Sequence, residues 1–433
     1  MIMSDILAAR SQMAMSLGFH IIFAVMGIGM PLLMMIAEGL YLKTQNRVYL
    51  DLAKRWAQGT AIMFAVGAVS GTALSFELGL LWPTFMKFAG PIIGMPFSLE
   101  GFAFFLEAIF LGIYFYGWDR ISPRAHWLTG IVVFISGTLS GIFVVCANAW
   151  MNAPAGFTLA DGVVTQFDPF KAMWNPASFS QTLHMTLAAY VSVGFAAAGI
   201  HALGLLKSPG SQLHQKAIQI AFWVGAITIP IQLFSGHLSA EHVAEYQPLK
   251  LAAMEGQWHT QAGAPLRILG WPNEPQERTD YAIEIPNMLS FLAYENFDAT
   301  VQGITSFPQE DRPPIWPLHI SFQIMVLSGL AMLGVACLGA FLTWRKKSWS
   351  SLKWFLKLLV LASPLGFIAL ETGWVVTEVG RQPWVIWHVM RTAEAITPMP
   401  HLVVPFLLFS TLYLLLGVVV IYLLKKRVFH VDA

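Results

Sequence analysis

The chain has 433 residues, of which 56% are hydrophobic and only 11% are charged, and its mean hydropathy is +0.61. These values lie far outside the range of soluble proteins and indicate an integral membrane protein. The 25 lysines and arginines nearly balance the 24 acidic residues, and the formal net charge is +1. Because there is no basic field, nucleic-acid binding is excluded.

The chain has two cysteines, Cys146 and Cys337, and both lie in apolar stretches. Two separated cysteines cannot form a disulfide framework, a C-x-x-C-H motif for covalent haem or a four-thiolate iron–sulfur site. Any metal must therefore be held by histidine, methionine or carboxylate. The first residues lack a basic segment ahead of a short apolar core, so we expect the first hydrophobic segment to be retained.

Runs of roughly 20 apolar residues, the length needed to cross a bilayer, occur nine times along the chain. The predicted spans are 15–42, 56–80, 92–117, 127–151, 180–206, 217–238, 317–344, 353–378 and 401–424. The predicted fold class is therefore an all-α integral membrane protein with nine transmembrane helices in bundles. An odd number of spans places the two ends of the chain on opposite sides of the membrane.

The basic residues between the spans are unevenly distributed. Sixteen fall on one side: Lys43, Arg47, Lys54, Arg55, Arg120, Arg124, Lys207, Lys216, Arg345, Lys346, Lys347, Lys353, Lys357, Lys425, Lys426 and Arg427. The other nine are spread over longer segments on the opposite side. Because cytoplasmic loops carry the excess of lysine and arginine, we expect the N-terminus outside and the C-terminus in the cytoplasm.

This topology divides the chain into three parts. Residues 1–238 carry the first six transmembrane helices, and residues 317–433 carry the last three and a cytoplasmic tail. Between them, residues 239–316 form a long, proline-containing, charged segment on the outer side. Loops of this length inside compact proteins usually serve a function.

Five side chains that can ligate a metal fall in the same outer portion of the membrane, each on a different predicted span. They are His20, Glu100, His184, Met325 and Glu371. A charged group inside the bilayer costs at least roughly 2.5 kcal/mol, so intramembrane ionisable residues are functional candidates. Imidazole, thioether and carboxylate are axial ligands of haem iron, and a His/Met pair gives a high-potential electron-transfer haem. A cofactor in a helix bundle takes its ligands from facing helices.

Each of these residues also has a structural interpretation. A single histidine on an apolar helix usually makes a packing hydrogen bond, and a methionine usually fills an apolar gap. Glu100 and Glu107 would equally suit the ion path of a transporter. His126, His201 and His319 lie near the ends of spans, where we expect solvated or capping roles. The pattern alone therefore predicts only a redox or proton-handling membrane protein.

Five strings resemble subunit I of the cytochrome bd-type quinol oxidases, and the resemblance covers nearly the whole chain. They are SLEGFAFFLEAIFLGIYFYGWDR (98–120), ANAWMNAP (147–154), KLAAMEGQW (250–258), SFQIM (321–325) and ETGWVVTEVGRQPW (371–384). The resemblance implies a haem-containing subunit of a terminal respiratory quinol oxidase in the bacterial cytoplasmic membrane. Such an enzyme oxidises quinol at the outer face and reduces O2 to water with cytoplasmic protons, generating proton motive force without pumping.

The resemblance also implies a set of haem ligands. His184 and Met325 match the ligands of a low-spin haem b, while His20 and Glu371 match the axial ligands of two high-spin haems. The high-spin pair is either haem b with haem d or two b-type haems, since some relatives with a short external loop are cyanide-insensitive and carry only b-type haems. Glu100 matches a position close to the iron of one high-spin haem.

Quinol and proton sites are implied in the same way. Lys250 and Glu255 match the quinol-interacting pair of the external segment, known in the family as the quinol loop. Three residues of the GRQPW run match positions beside that pair: Arg381, Gln382 and Trp384. The family's proton path from the cytoplasm is matched by Ser140, Glu107 and Asn148, leading to Glu100. The implied partners are a second large membrane subunit, a small single-span subunit, quinol, O2 and the lipid bilayer.

The chain departs from the family pattern at three places. Gln323 stands where an arginine commonly precedes the methionine ligand, so we expect a lower haem potential. Phe367 replaces a frequent tryptophan, and residues 236–239 read Gly-His-Leu-Ser where an acidic residue commonly follows the glycine. None of these changes removes a ligand. The residue pattern leaves open a proton-coupled secondary transporter, a haem-b membrane anchor of a quinone-linked dehydrogenase and a non-catalytic assembly subunit.

Overall fold

A computed structural model describes residues 3–160 and 163–429 of the chain. In this described part, nine helical segments are long and apolar enough to cross a membrane, as the sequence predicts. The uninterrupted ones are α1 (Asp5–Thr44), α2 (Arg47–Leu81), α3 (Pro83–Tyr116), α4 (Pro123–Asn152), α6 (Ser178–Lys207), α7 (Gln212–Tyr246), α10 (Ile315–Trp344) and α14 (Val403–Leu424). Residues 430–433 of the predicted cytoplasmic tail lie outside the described residues.

Helix starts follow the capping preferences of the sequence. The Ser4 hydroxyl accepts a hydrogen bond from the Leu7 amide at the start of α1, and Ser122 caps α4 in the same way. Pro83 and Pro123 occupy the first positions of α3 and α4, where a missing amide hydrogen costs nothing. These spans therefore begin at defined residues.

The ninth segment that can cross a membrane consists of two helices, α11 (Lys353–Ala362) and α12 (Leu365–Gly380). The break falls at Ser363 and Pro364, because proline cannot donate the backbone hydrogen bond that would continue α11. Helix α12 then runs against α1, α6 and α10 and carries Glu371 and the beginning of the GRQPW run.

Helix α7 ends at Tyr246, past the boundary at 238 that hydropathy predicts. Its last two turns are polar, and the His242 ring stacks on Tyr246 with centroids 4.5 Å apart. A single residue, Gln247, separates α7 from the short helix α8 (Pro248–Glu255), so the external segment begins as a helical corner.

The remaining elements are short and lie in the connections. The external segment contains α9 (Met288–Tyr294) and three antiparallel pairs: β3 (Gln261–Ala262) with β8 (Thr300–Val301), β4 (Leu266–Ile268) with β7 (Ile283–Ile285), and β5 (Trp271–Asn273) with β6 (Arg278–Asp280). Between α4 and α6 lie β1 (Phe157–Ala160), β2 (Val163–Phe167) and α5 (Pro169–Met173). Between α12 and α14 lie β9 (Trp384–Ile386), β10 (Met390–Arg391) and α13 (Thr392–Ala395).

The main apolar core lies between α1, α2, α4, α6, α7, α10 and α11. Glycines allow the closest approaches: a Cβ on Gly194 of α6 would lie 2.7 Å from the Gly225 amide nitrogen of α7. Small residues at such crossings are typical of helix packing in membranes. In contrast, α14 exposes a continuous row of leucine and valine side chains, as expected for a helix facing lipid or another subunit.

Candidate functional site

His20 on α1 is held by α2. Its Nδ1 lies 2.9 Å from the hydroxyl of Ser70, which is fully buried and donates its own hydrogen to the Val66 carbonyl at 3.0 Å. Because that hydrogen is already used, Ser70 accepts a hydrogen bond from Nδ1–H. The tautomer this fixes leaves the Nε2 lone pair available, as a metal-ligating histidine requires. Gly71 makes room for the ring: a Cβ there would lie 2.9 Å from His20 Cε1.

His184 on α6 has the same kind of support from α7. Its Nδ1 lies 2.9 Å from Ser235 Oγ, which donates to the Gln232 carbonyl at 2.8 Å, so Ser235 also accepts from Nδ1–H. The Gln232 amide nitrogen lies 3.2 Å from Nδ1 and 3.1 Å from Nε2. These nearly equal distances place it beside the ring and off the Nε2 lone-pair direction. Gly236 lies against the ring, because a Cβ added to it would be 3.4 Å from His184 Cε1.

Met325 and Glu371 also lie against glycines of neighbouring helices. A Cβ on Gly373 of α12 would lie 2.9 Å from Met325 Sδ, and one on Gly18 of α1 would lie 3.4 Å from Glu371 Oε2. The other oxygen of Glu371, Oε1, is buried without a hydrogen-bond partner. Two imidazoles with a fixed tautomer, one thioether and one unpaired carboxylate oxygen, each beside a glycine, form a donor set that fits haem iron.

Glu100, Glu107 and Ser140 lie close together between α3, α4 and α1. The Ser140 hydroxyl donates to Glu100 Oε1 at 3.3 Å. Glu107 is only 4% exposed, and its carboxyl carbon would be 3.1 Å from a Cβ on Gly137 of α4. Its Oε1 atom is buried without a partner. An unpaired buried carboxylate calls for an explanation such as a bound water or a proton-carrying role.

Asn148 does not hydrogen-bond to that group. Its amide donates to Glu378 Oε1 at 2.6 Å, and Arg381 Nη2 donates to Glu378 Oε2 at 2.5 Å. The Arg381 side chain is 1% exposed, and its Nε and Nη1 atoms have no partner. Asn148 therefore joins the predicted quinol-side residues through Glu378, an acid on the eighth predicted span to which the sequence alone assigned no role.

Lys250 and Glu255 are both buried in α8 but face different surroundings. Five helical residues turn the chain so that the two side chains point roughly 140° apart. Lys250 lies against Gly380, and its ammonium donates to the Thr377 carbonyl at 3.4 Å. Glu255 Oε2 is buried without a partner. The structure does not bring the two groups into direct contact.

Burial strongly shifts the pKa values of both Lys250 and Glu255. Desolvation, aided by the positive charge of Arg381, lowers the pKa of Lys250 to about 7, against an opposing effect of Glu378. Desolvation raises the pKa of Glu255 to about 8, although the nearby Arg267 opposes the shift. Each group therefore titrates near neutrality, and perturbed pKa values of this kind concentrate at functional sites.

Gln382 and Trp384 complete the GRQPW region. Gln382 Oε1 accepts hydrogen bonds from the Thr392 hydroxyl at 2.9 Å and from Arg10 Nη2 at 3.4 Å. The Trp384 ring lies 4.7 Å from the Arg391 guanidinium, and its Nε1–H is buried without a partner. A buried unpaired indole N–H is a donor that a bound polar molecule could use.

Comparison with known proteins decides the family. The model described as "Cytochrome bd terminal oxidase subunit I" matches residues 8–431 of the chain. The chain belongs to this family. It is 37% identical over 428 residues to "Putative cytochrome bd menaquinol oxidase subunit I" of Bacillus subtilis, covering 98% of this chain and 96% of that one. "Cytochrome bd ubiquinol oxidase subunit 1" of the same organism is 33% identical over 98% of this chain and 94% of its own length.

A solved structure, "The structure of bd oxidase from Geobacillus thermodenitrificans", matches with a TM-score of 0.92 and 38% identity, over 98% of this chain and 99% of that chain. The chain is accordingly a multi-pass protein of the bacterial cytoplasmic membrane and part of a quinol:O2 oxidoreductase of the respiratory chain. Membership as subunit I implies haem cofactors and a second subunit.

In this bd-family chain Gln323, which stands where an arginine is common, hydrogen-bonds to the backbone of the external segment. Gln323 is 8% exposed; its amide donates to the Arg267 carbonyl at 3.0 Å, and its Oε1 accepts from the Leu269 amide at 2.8 Å. Both backbone groups belong to the end of β4 and the residue after it. The sequence indicated only a missing cation at this position, whereas the structure gives the amide a bridging role.

The three histidines expected to be solvated or capping are buried or half-buried, but His126 and His319 do lie at backbone carbonyls in the last turns of α3 and α8, as a capping role requires. His126 and His319 are 1% and 0% exposed, and His201 is half-buried. His126 Nδ1 lies 2.7 Å from Glu38 Oε1, and His319 Nδ1 lies 2.8 Å from the Met254 carbonyl. His201 Nδ1 lies 2.9 Å from His214 Nδ1. Distance from a span end does not reveal burial, because neighbouring helices cover those ends.

A second buried acid of the bd-family chain was also missed. Glu77 on α2 is 1% exposed, and its Oε1 accepts from the Ser16 hydroxyl of α1 at 2.9 Å. It lies two turns from Ser70 on the same face of α2. Glu77 Oε2 and the nearby Gln12 Oε1 are buried and have no hydrogen-bond partner in the described part of the chain. An acidic residue inside the second predicted span was the signal that could have identified it.

Proposed function

We propose that the chain oxidises quinol at the outer face of the membrane and supplies cytoplasmic protons for the reduction of O2 to water, so that proton motive force arises without pumping. The donor set of His20, His184, Met325 and Glu371 supports this best. Each side chain comes from a different helix, offers a lone pair and lies beside a glycine. A transporter would not need such a set.

In this proposal His184 and Met325 would hold a low-spin haem b, while His20 and Glu371 would hold two high-spin haems, either haem b with haem d or both b-type. The haem iron supplies one-electron transfer and the reduction of oxygen. Ser70 and Ser235 keep Nδ1 protonated on the two histidines, so that Nε2 retains the lone pair with which each imidazole would bind a metal.

Quinol, either menaquinol or ubiquinol, binds between α8 and the GRQPW segment. Glu255 accepts a hydroxyl proton in its ionised form, and Lys250 in its charged form stabilises the developing oxyanion. Arg381, Gln382 and Trp384 line the same side and orient the ring. The proton leaves toward the outside, where the predicted topology places 239–316.

Protons for oxygen reduction travel on α3 and α4. Glu107 passes a proton outward to the pair formed by Ser140 and Glu100. Asn148 positions Glu378 at the outer end of this route. Charge separation follows because quinol releases its protons outside while oxygen reduction consumes protons from the cytoplasm. The active assembly contains subunit II and a small single-span subunit.

The ligand assignment is tested by the visible spectrum of the purified complex. Met325→Leu removes the sulfur while keeping the side-chain volume, and His184→Ala removes the imidazole; both should abolish the low-spin haem b spectrum and quinol oxidation. Met332→Leu is the matched control, since Met332 is a buried methionine two turns along the same helix. An unchanged reduced-minus-oxidised spectrum in the Met325 and His184 variants would refute the assignment.

A further inference from the structure

Three metal-ligating side chains that the haem and quinol assignments do not use meet where the end of α7 packs against the external segment. His237 and Glu241 lie one turn apart on the polar outer end of α7, and Glu295 follows the last residue of α9. His237 Nε2 is 3.3 Å from Glu241 Oε1. One ligand atom from each of the three residues lies within 4.8 Å of the other two.

We propose that His237, Glu241 and Glu295 bind a divalent transition-metal cation of the Zn²⁺ class from the outer aqueous phase. One imidazole nitrogen and two carboxylate oxygens are the ligand types of three-ligand zinc sites, with water in the fourth position. Zinc bonds of this kind imply ligand atoms about 3.4 Å apart around a tetrahedral ion. The 3.3 Å between His237 Nε2 and Glu241 Oε1 already matches this distance. A small movement of the exposed Glu295 would bring its carboxylate oxygen equally close to both.

The charge balance favours a cation over a simple ion pair. His237 can neutralise only one carboxylate, and in the described part of the chain no lysine or arginine forms an ion pair with Glu241 or Glu295. The two carboxylates therefore repel each other unless a cation lies between them. The helix fixes His237 and Glu241 on one face at i and i+4, so two ligands are already positioned before binding.

The cation would join two elements that frame the start of the quinol loop. Leu289 and Ala293 of α9 pack with Ala244 of α7 and Leu251 of α8 in one buried cluster. Helix α8 also carries Lys250 and Glu255. A metal bridge from α7 to Glu295 would therefore hold α9 against the helix that bears the quinol-site residues. The metal site does not depend on the proposed function, because none of its ligands takes part in it.

Metal binding is tested on the intact purified oxidase complex, stripped with a chelator and titrated with Zn²⁺ in a calorimeter. His237→Ala and Glu295→Gln should each weaken one binding event by more than about tenfold, since even outer-shell partners of a metal contribute that much. His242→Ala, on the same helix, and Glu277→Gln, an exposed carboxylate of the same segment, are matched controls and should bind normally.

Hydrogen exchange gives a second measurement of the same site. Zn²⁺ should slow amide exchange in 288–296 of the wild-type complex and leave it unchanged in His237→Ala. Absence of a binding event in the wild type, or equal binding by wild type and the ligand variants, would overturn the proposal and leave His237 and Glu241 as an ion pair only. Binding that is lost in the controls as well would overturn it too, because the site would lie elsewhere.

Discussion

The sulfur of Met325 lies directly against Gly373, and a Cβ added to this glycine would fall 2.9 Å from Sδ. Gly373→Ala should therefore displace the flexible methionine side chain, at little cost to the stability of the fold. If Met325 is a haem ligand, the low-spin haem b band should shift or be lost while the other haem signals remain. The measurement is the reduced-minus-oxidised spectrum of membranes containing the variant.

Gly334→Ala is the matched control, because Gly334 lies on the same helix as Met325 and a Cβ there would meet open space. It should leave the spectrum unchanged. A Gly373→Ala protein with the wild-type low-spin spectrum would contradict both the contact and the role proposed for Met325.

The titrations of Glu255 and Lys250 predict the pH dependence of quinol oxidation. Glu255 accepts a proton only when ionised, and that form increases as the pH rises through about 8. Lys250 stabilises an oxyanion only when charged, and that form decreases as the pH rises through about 7. The two requirements oppose each other, so kcat/KM for quinol should follow a bell-shaped curve with its maximum between these values.

Single substitutions separate the two limbs of this curve. Glu255→Gln should remove the fall on the acid side, and Lys250→Gln should remove the fall on the alkaline side, each with a lower maximal rate. Glu277→Gln, an exposed carboxylate of the same segment, should keep the full bell. Persistence of the acid limb in Glu255→Gln would show that another group accepts the quinol proton.

The number of membrane-spanning segments could be predicted because hydropathy reports directly on burial in lipid, although α1, α2 and α3 begin nine or ten residues before the predicted spans. Helix α10, in contrast, begins and ends within two residues of the predicted 317–344. The last two turns of α7 could not be predicted this way, because 239–246 forms a polar helix outside the apolar run. The number of spans follows from composition, whereas the length of a helix in water depends on what packs against it.

The candidate site was less predictable, because its contacts join distant parts of the chain. Sequence reasoning put Ser140 at the beginning of the proton path and Glu100 at its end, whereas the structure joins the two by a hydrogen bond. It did not anticipate that Asn148 bonds to Glu378, a residue 230 positions away. The contacts between glycines and the proposed ligands could not be predicted either, because the sequence does not show which side chain of a neighbouring helix packs against a glycine.

Gln323 should act on the external segment through its two hydrogen bonds to backbone atoms. Gln323→Leu keeps the volume but removes the hydrogen bonds to the Leu269 amide and the Arg267 carbonyl, each worth about 0.5–1.5 kcal/mol. We expect the segment near β4 to loosen and the KM for quinol to rise, with haem content unchanged.

Limited proteolysis and steady-state kinetics measure these two effects of Gln323→Leu together. Gln323→Glu should retain the bond from the Leu269 amide and show an intermediate effect. Haem loss in Gln323→Leu, with normal protease resistance, would indicate that the residue supports the haem site and not the quinol loop.

Proton delivery through Glu107 and Ser140 can be separated from haem binding. Glu107→Gln keeps the shape of the buried side chain between α3 and α4 but cannot release a proton as a carboxylic acid does, so oxygen reduction should slow by at least about a hundredfold. Ser140→Ala should produce a smaller loss because the Glu100 carboxylate remains. Ser136→Ala, one turn earlier on α4, removes a hydroxyl that bonds only to its own helix backbone, and it should leave the rate of oxygen reduction unchanged.

Oxygen consumption with artificial electron donors measures the rate of oxygen reduction, and the reduced-minus-oxidised spectrum measures haem content. Full activity of Glu107→Gln would exclude this carboxylate from the proton route, whereas haem loss would assign it a structural role.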